Sequence, residues 1–144
     1  MDEADINSVA RIVFGEARGE PEEGQLAVAY TVLNRMKHPG YPKTIQAVVY
    51  QRCSNGKYQY ETLDLPHHED EWKRAKEQNT WEYRNCLRAT KDVLSQRRGD
   101  PTGGATNYAA NDPNPATSSN QYYTASGKMK IGNHYFVRML PNTG

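Results

Sequence analysis

Two runs of apolar residues at helical spacing meet at Gly15-Glu16-Ala17-Arg18-Gly19-Glu20-Pro21, and this junction limits the possible folds more than any other stretch. Before it, Ile6, Val9, Ala10 and Val13 recur every three to four residues, which predicts a helix over 5–14 with Asp5 placed to cap it. Gly15 is expected to end or bend that helix. After the junction, Pro21 suits the first turn of a new helix, where its missing N–H costs nothing. Glu22 and Glu23 suit the positive end of that helix. Leu26, Ala29, Tyr30, Leu33 and Met36 then make one face, widened by Val28 and Val32, so a central helix to about Lys37 should be buried on most of its surface. Asn34 and Arg35 interrupt that face and are read as satisfied structural hydrogen-bonders.

The rest of the chain fits around this pair. Thr44 is placed to cap a short helix carrying Ile45, Val48 and Val49. A helix is expected over 69–79 with Trp72 and Ala75 inward. Another runs from a Thr80 cap to about Arg98, with Tyr83, Cys86, Leu87, Thr90 and Leu94 on one face, stopped by Gly99 and Asp100-Pro101. No period fits Gln51 to Pro66, a polar loop whose tyrosines suit either sugar binding or a surface flap. Residues 99–128 are rich in Gly, Pro, Asn, Thr and Ser and read as a loop, and 131–138 read as a short strand. The expected architecture is mainly α: about five helices, a short C-terminal strand or hairpin and a long polar loop, in a single domain over 1–144.

Composition removes several classes of function. Eighteen Lys+Arg against 17 Asp+Glu give a formal charge of +1, which offers no electrostatic case for nucleic acid. No apolar run is long enough for stable membrane insertion. Cys53 and Cys86 are too few for a disulfide framework and are left open as paired or free. The four histidines form no zinc motif, so neither a metal nor a cofactor is expected. Spacing alone leaves a nucleophilic pairing of Cys53 or Cys86 with His134 open. Ten tyrosines against two phenylalanines favour a wet cleft that holds polar, ringed ligands.

Acetal cleavage needs a carboxylic acid whose pKa has been raised from about 4.3 toward 6 or 7. Glu16 follows Val13-Phe14 closely, so one side of it should be desolvated. Glu20 is the obvious second carboxylate, because a continuous helix would place it on the same face. The competing and preferred reading is structural, with Glu20 capping the second helix or pairing with Arg18.

These residues also resemble a known family. Ala10 to Pro21, Glu23-Gly24-Gln25, Ala27-Val28-Ala29 and Val32-Leu33-Asn34-Arg35 are similar to the cell-wall hydrolases typified by bacterial spore cortex-lytic enzymes. The likeness continues through His38-Pro39-Gly40-Tyr41-Pro42, Ile45 and Val48-Val49-Tyr50. It resumes at Asp100-Pro101-Thr102-Gly103-Gly104-Ala105 and again at Ile131-Gly132-Asn133-His134 and Phe136. The resemblance implies a lysozyme-like α+β fold acting on peptidoglycan glycan strands, with Glu16 as general acid and then base at the N-acetylmuramic acid to N-acetylglucosamine bond. Lytic transglycosylation, leaving a 1,6-anhydromuramyl end, is the implied reaction. The alternatives are a hydrolytic muramidase using Glu20 or Glu61 as a second acid, a peptidoglycan amidase or peptidase, and a non-catalytic muropeptide-binding domain.

The sequence departs from the family pattern in two places. Gln59-Tyr60-Glu61 stands where Gln-Phe-Ser is usual, and Thr106 to Asn111 replaces a more aromatic run; the segment from Asp112 to Met129 matches poorly. Expected substrate contacts are Gln59, Tyr60, Thr102, Asn107, Tyr108 and His134, with a structural role also open for Asn107, Tyr108 and His134. A monomer acting on the bacterial wall is expected, either as a phage endolysin released from the host cytoplasm or as a domain of a larger secreted enzyme.

Overall fold

A computed structural model describes residues 2–111 and 128–139, together with the backbone of 122–123. Helix α1 spans Glu3–Ala17 and α2 spans Glu22–Lys37. The short α3 covers Ile45–Val49, a 3-10 turn covers Glu61–Asp64, α4 is Pro66–Gln78 and α5 is Trp81–Leu94. Four strands follow: β1 Asn107–Ala109, β2 Tyr122–Tyr123, β3 Met129–Ile131 and β4 His134–Met139. The poorly matching segment that begins at Asp112 lies largely outside the described residues.

Helix α1 differs from expectation at both ends. Asp2, not Asp5, caps it, accepting a hydrogen bond from the Ala4 N–H at 2.8 Å. The helix also runs straight through Gly15 to Ala17. Gly15 is needed there for a different reason. A Cβ at this position would lie 1.9 Å from Thr62 Oγ1 and 2.6 Å from Thr62 Cβ, so glycine lets the 3-10 turn pack onto the helix backbone.

The helices bury their apolar faces in one cluster. Val9, Ile12 and Val13 of α1 meet Val28 and Val32 of α2, Val48 and Val49 of α3, and Cys86, Ala89 and Val93 of α5, all buried. Phe14 packs edge-on against Trp72 of α4, with ring centroids 5.5 Å apart. Thr44 and Thr80 cap α3 and α5, accepting from the Ala47 and Tyr83 N–H groups. α4 starts earlier than its apolar spacing suggests because Pro66 opens its first turn. α5 ends at Leu94 rather than Arg98, and Gln96 turns left-handed just beyond it.

Every strand pairs antiparallel with β4. β1 lies along one edge, with Tyr108 opposite Phe136, while β3 and β2 lie along the other. Of the expected short C-terminal strand or hairpin, the structure forms the hairpin, β3 and β4. Ile131 pairs with His134 across Gly132-Asn133, and Gly132 takes the positive φ (59°) that such a tight turn requires. No described helix is long and apolar enough to cross a membrane.

The two polar interruptions of α2 join the helices to the sheet. Asn34 Nδ2 donates to Asp100 Oδ2 at 2.8 Å and to the Ala105 carbonyl at 2.9 Å. Arg35 Nε donates to the Thr106 carbonyl at 2.7 Å. Asp100 in turn accepts from the Thr102 N–H and hydroxyl and from the Gly104 N–H, so Asp100 to Ala105 forms a tight turn that delivers the chain into β1. Both readings of Asn34 and Arg35 as structural hydrogen-bonders agree with this geometry.

Candidate active site

Glu16 sits in the last turn of α1, half-buried, facing the 3-10 turn and the sheet. Burial raises its pKa above the ordinary carboxylate range, and the nearby Glu61 charge raises it further. A hydrogen bond from the Thr62 N–H to Oε1 at 3.3 Å and the charges of Arg11 and Arg35 work in the opposite direction, and burial outweighs them. A carboxylic acid whose pKa is raised by burial keeps its proton to higher pH, and on a wall open to solvent on one side it can donate that proton to a leaving oxygen.

Tyr108 of β1 stands near Glu16. Its ring packs against His134 and Phe136 at centroid distances of 5.2 and 5.4 Å. Burial, and then the Glu16 charge, push its hydroxyl well above its ordinary pKa, so it stays protonated and can donate a hydrogen bond. Arg35 is buried between the rings of Tyr60 and Tyr41, 4.5 and 5.0 Å from their centroids, and its Nη1 has no hydrogen-bond partner.

The structure separates the expected site residues into different roles. Glu20 is committed to the β3–β4 turn, with its side chain only 8% exposed. Its carboxylate accepts from the Asn133 N–H at 3.2 Å and from Asn133 Nδ2 at 3.3 Å, and lies 3.1 Å from His134 Nδ1. It therefore clamps the β3–β4 turn. The expected pairing with Arg18 is not seen, because Arg18 reaches Glu71 instead. Glu61 is exposed at the start of the 3-10 turn.

Tyr60, expected at the rim, is 2% exposed, and its hydroxyl meets Thr31 Oγ1 at 2.9 Å. Its place is in the core, because Thr31 and Arg35 satisfy its hydroxyl and its ring. Thr102 is likewise buried, holding the Asp100 turn. Asn107 Oδ1 accepts from the Tyr41 hydroxyl at 3.1 Å and from Thr106 Oγ1 at 2.8 Å. Gln59 is half-buried, and its N–H donates to the Gln51 carbonyl across a short hairpin closed by the Arg52–Tyr58 bridge. The Gln51–Pro66 stretch thus carries a short hairpin followed by the 3-10 turn. Both cysteines are free. Burial pushes the Cys86 thiol up to about 12, which suits core packing and not nucleophilic attack. Among the described residues no group of three or more His, Cys, Asp or Glu could hold a metal ion.

Arg11 and Thr62 are the neighbours of Glu16 that spacing alone did not single out. The available signal is a charged residue inside the apolar face of α1, four residues before Gly15.

A cavity of about 980 Å³ is lined by Phe14, Arg18, Glu20, Glu71 and Trp81 among others, and Glu16 is not among its lining residues. Size does not place the chemistry there. Of its lining carboxylates, Glu20, Glu22 and Glu71 each face a partner, respectively His134, Arg98 and Arg18, and Glu82 is exposed in the first turn of α5.

The fold and the site together define a mainly helical, lysozyme-like domain with a desolvated glutamate beside an aromatic wall. A cell wall hydrolase family profile matches residues 19–137, and the chain belongs to that family. It is 33% identical over 138 residues to the spore cortex-lytic enzyme of Halalkalibacterium halodurans, covering 92% of this chain and 34% of that protein. It is 32% identical over 136 residues to that of Bacillus cereus, covering 93% and 44%. The chain thus spans less than half the length of these curated relatives. Among solved structures, the catalytic domain of the germination-specific lytic transglycosylase SleB from Bacillus anthracis superposes with a TM-score of 0.62 at 28% identity, covering 96% of this chain and 97% of that one. The catalytic domain of the Bacillus cereus SleB protein gives 0.58 at 26% identity, with 95% and 91% covered.

Proposed function

We propose that this domain cleaves the glycan strands of bacterial peptidoglycan, with Glu16 as the acid. The observation that carries this reading is the burial-raised pKa of Glu16 on a half-open wall. Glu16 protonates the glycosidic oxygen between N-acetylmuramic acid and N-acetylglucosamine. Its conjugate base then takes the proton of the muramyl C6 hydroxyl as that oxygen attacks the anomeric carbon, which leaves a 1,6-anhydro end and regenerates the acid. Water in place of the C6 hydroxyl would give hydrolysis.

The placement of the second carboxylates favours transglycosylation. Glu20 is committed to the β3–β4 turn, and Glu61 is solvated. Internal attack by the C6 hydroxyl needs neither of them as a nucleophile. The relatives named as spore cortex-lytic enzymes and as a lytic transglycosylase point the same way. In this reading Tyr108, beside Glu16, contacts the substrate, and the cell wall is the proposed place of action.

The test is digestion of purified peptidoglycan by the wild type and by Glu16→Gln, with the soluble fragments weighed. The substitution keeps the shape and removes the donor, so a loss of roughly 100-fold or more is expected. Wild-type fragments one water lighter than hydrolysed muropeptides support the anhydro product, and full-mass reducing ends turn the reading to hydrolysis. Cleavage by Glu16→Gln at the wild-type rate would remove Glu16 from the chemistry.

A further inference from the structure

Glu16 is held by a side-chain relay that begins one turn earlier in its own helix. Arg11 is 4% exposed, a charged group in the middle of an apolar face. Its three donor nitrogens all have acceptors. Nε donates to Glu69 Oε2 at 2.9 Å, Nη1 to Thr62 Oγ1 at 2.8 Å and Nη2 to the Thr62 carbonyl at 3.0 Å. Thr62 is 1% exposed, and its hydroxyl also meets His68 Nδ1 at 2.8 Å. Three contacts thus fix one residue, whose N–H then donates to Glu16 Oε1.

Gly15 permits the approach, since any Cβ there would strike Thr62 and lie 2.7 Å from Arg11 Nη1. A buried guanidinium is costly unless it is paired and hydrogen-bonded. Here every contact it makes either neutralises it or holds the turn facing Glu16.

We propose that Arg11 is the positioning residue for Glu16, acting through Thr62 so that Oε1 is kept as an acceptor and Oε2 carries and delivers the proton. This rests on the reading of Glu16 as the acid. An oxygen that accepts from an N–H cannot also point a proton at it, so a rigid Thr62 N–H decides which oxygen is protonated. The fork geometry matters. Two guanidinium nitrogens grip the hydroxyl and the carbonyl of one residue, which a lysine ammonium cannot reproduce in the same plane.

The test compares Arg11→Lys, Thr62→Val and Thr62→Ser with the wild type on soluble glycan fragments, reading kcat, KM, the pH profile of kcat and Tm. Thr62→Val removes the hydroxyl contacts without changing charge, and it keeps the test decisive should Arg11→Lys not fold. The charged and titratable groups around Glu16 are Arg11, Arg35, Glu61, Tyr60 and Tyr108, with His68 on the far side of Thr62, and of these only Arg11 is altered.

In Arg11→Lys and Thr62→Val, kcat should fall about tenfold or more with KM nearly unchanged. The alkaline limb of kcat should move to higher pH, because a donor that favours the carboxylate is no longer held in place. Thr62→Ser, which keeps both the N–H and the hydroxyl, should restore the wild-type profile. An unmoved limb, with kcat per folded molecule at the wild-type level, would overturn the proposal. Glu16→Gln in the same assay separates the two readings. If it is inactive while the limb stays put, only the role of Arg11 fails; if it is active, the acid reading fails and this inference with it.

Discussion

Glu16 and Glu20 lie four residues apart and meet different partners, the Thr62 N–H for Glu16 and the β3–β4 turn for Glu20. Glu16 has Thr62 and Tyr108 beside it, and burial desolvates its carboxyl, which meets one backbone donor. Glu20 lines the cavity of about 980 Å³, and its carboxylate is occupied by Asn133 and His134. The difference shows what marks a reactive acid. Volume is a weak guide. Burial without full compensation is a better one, because it raises the free energy of the charged form and keeps a proton available.

The sharpest break of this comparison is to neutralise each carboxylate in turn. Glu16→Gln should lose roughly 100-fold or more of cleavage while folding normally. Glu20→Ala should keep the product type and most of the specific activity but lose about 1–2 kcal/mol of stability, because Asn133 and His134 in the β3–β4 turn lose their charged acceptor. Denaturant titration beside the cleavage assay separates the two effects, and equal losses of activity would erase the distinction.

A second test uses pH. The folded-state pKa of Glu16 lies above its unfolded value, so the folded protein pays a penalty once pH rises through the folded pKa, and none below the unfolded one. Glu16→Gln should therefore melt slightly higher than wild type near neutral pH and equally with it near pH 3. Wild-type cleavage should decline as pH rises through the same folded pKa. Calorimetry across pH reads the first effect, and initial rates read the second.

The turn itself offers a smaller effect. Gly132→Ala forces a side chain into positive φ and sets its Cβ 2.6 Å from Glu20 Oε2, so a loss of about 1–2 kcal/mol is expected by denaturant titration. The smallest effect belongs to the larger cavity. Trp81 is 65% exposed on its wall, and Trp81→Ala should leave cleavage within about twofold and stability within about 0.5 kcal/mol. A large loss of cleavage would move the substrate to that side.

What could be read directly from the chain was local. The α2 face and the Thr44 and Thr80 caps depend on residues within a few positions of one another, and the structure places them as expected. Glu16 stands out because Val13-Phe14 precede it in sequence, although its raised pKa also needs the 3-10 turn and β1. The features that escaped depend on distant partners. Gly15 looks like a helix breaker until Thr62 is set against it, and Tyr60 looks like rim until Thr31 and Arg35 enclose it. The start of α4 is hidden because Pro66-His67-His68 is polar and the apolar spacing begins only at Trp72. Glu20 has its partners more than 100 positions away, which no short-range pattern can reveal.

Strand β4 has a consequence for assembly. It follows every other described element in sequence, yet β1, β2 and β3 hydrogen-bond to it and, within this sheet, not to one another. As the last described element, β4 completes the sheet only after every other described element is already in the chain. The helices can therefore gather first, while Tyr108 acquires its Phe136 and His134 backing only when β4 arrives. Folding of this kind delays completion of the wall beside Glu16, so a chain that is mostly formed still lacks the surface against which a sugar ring would rest.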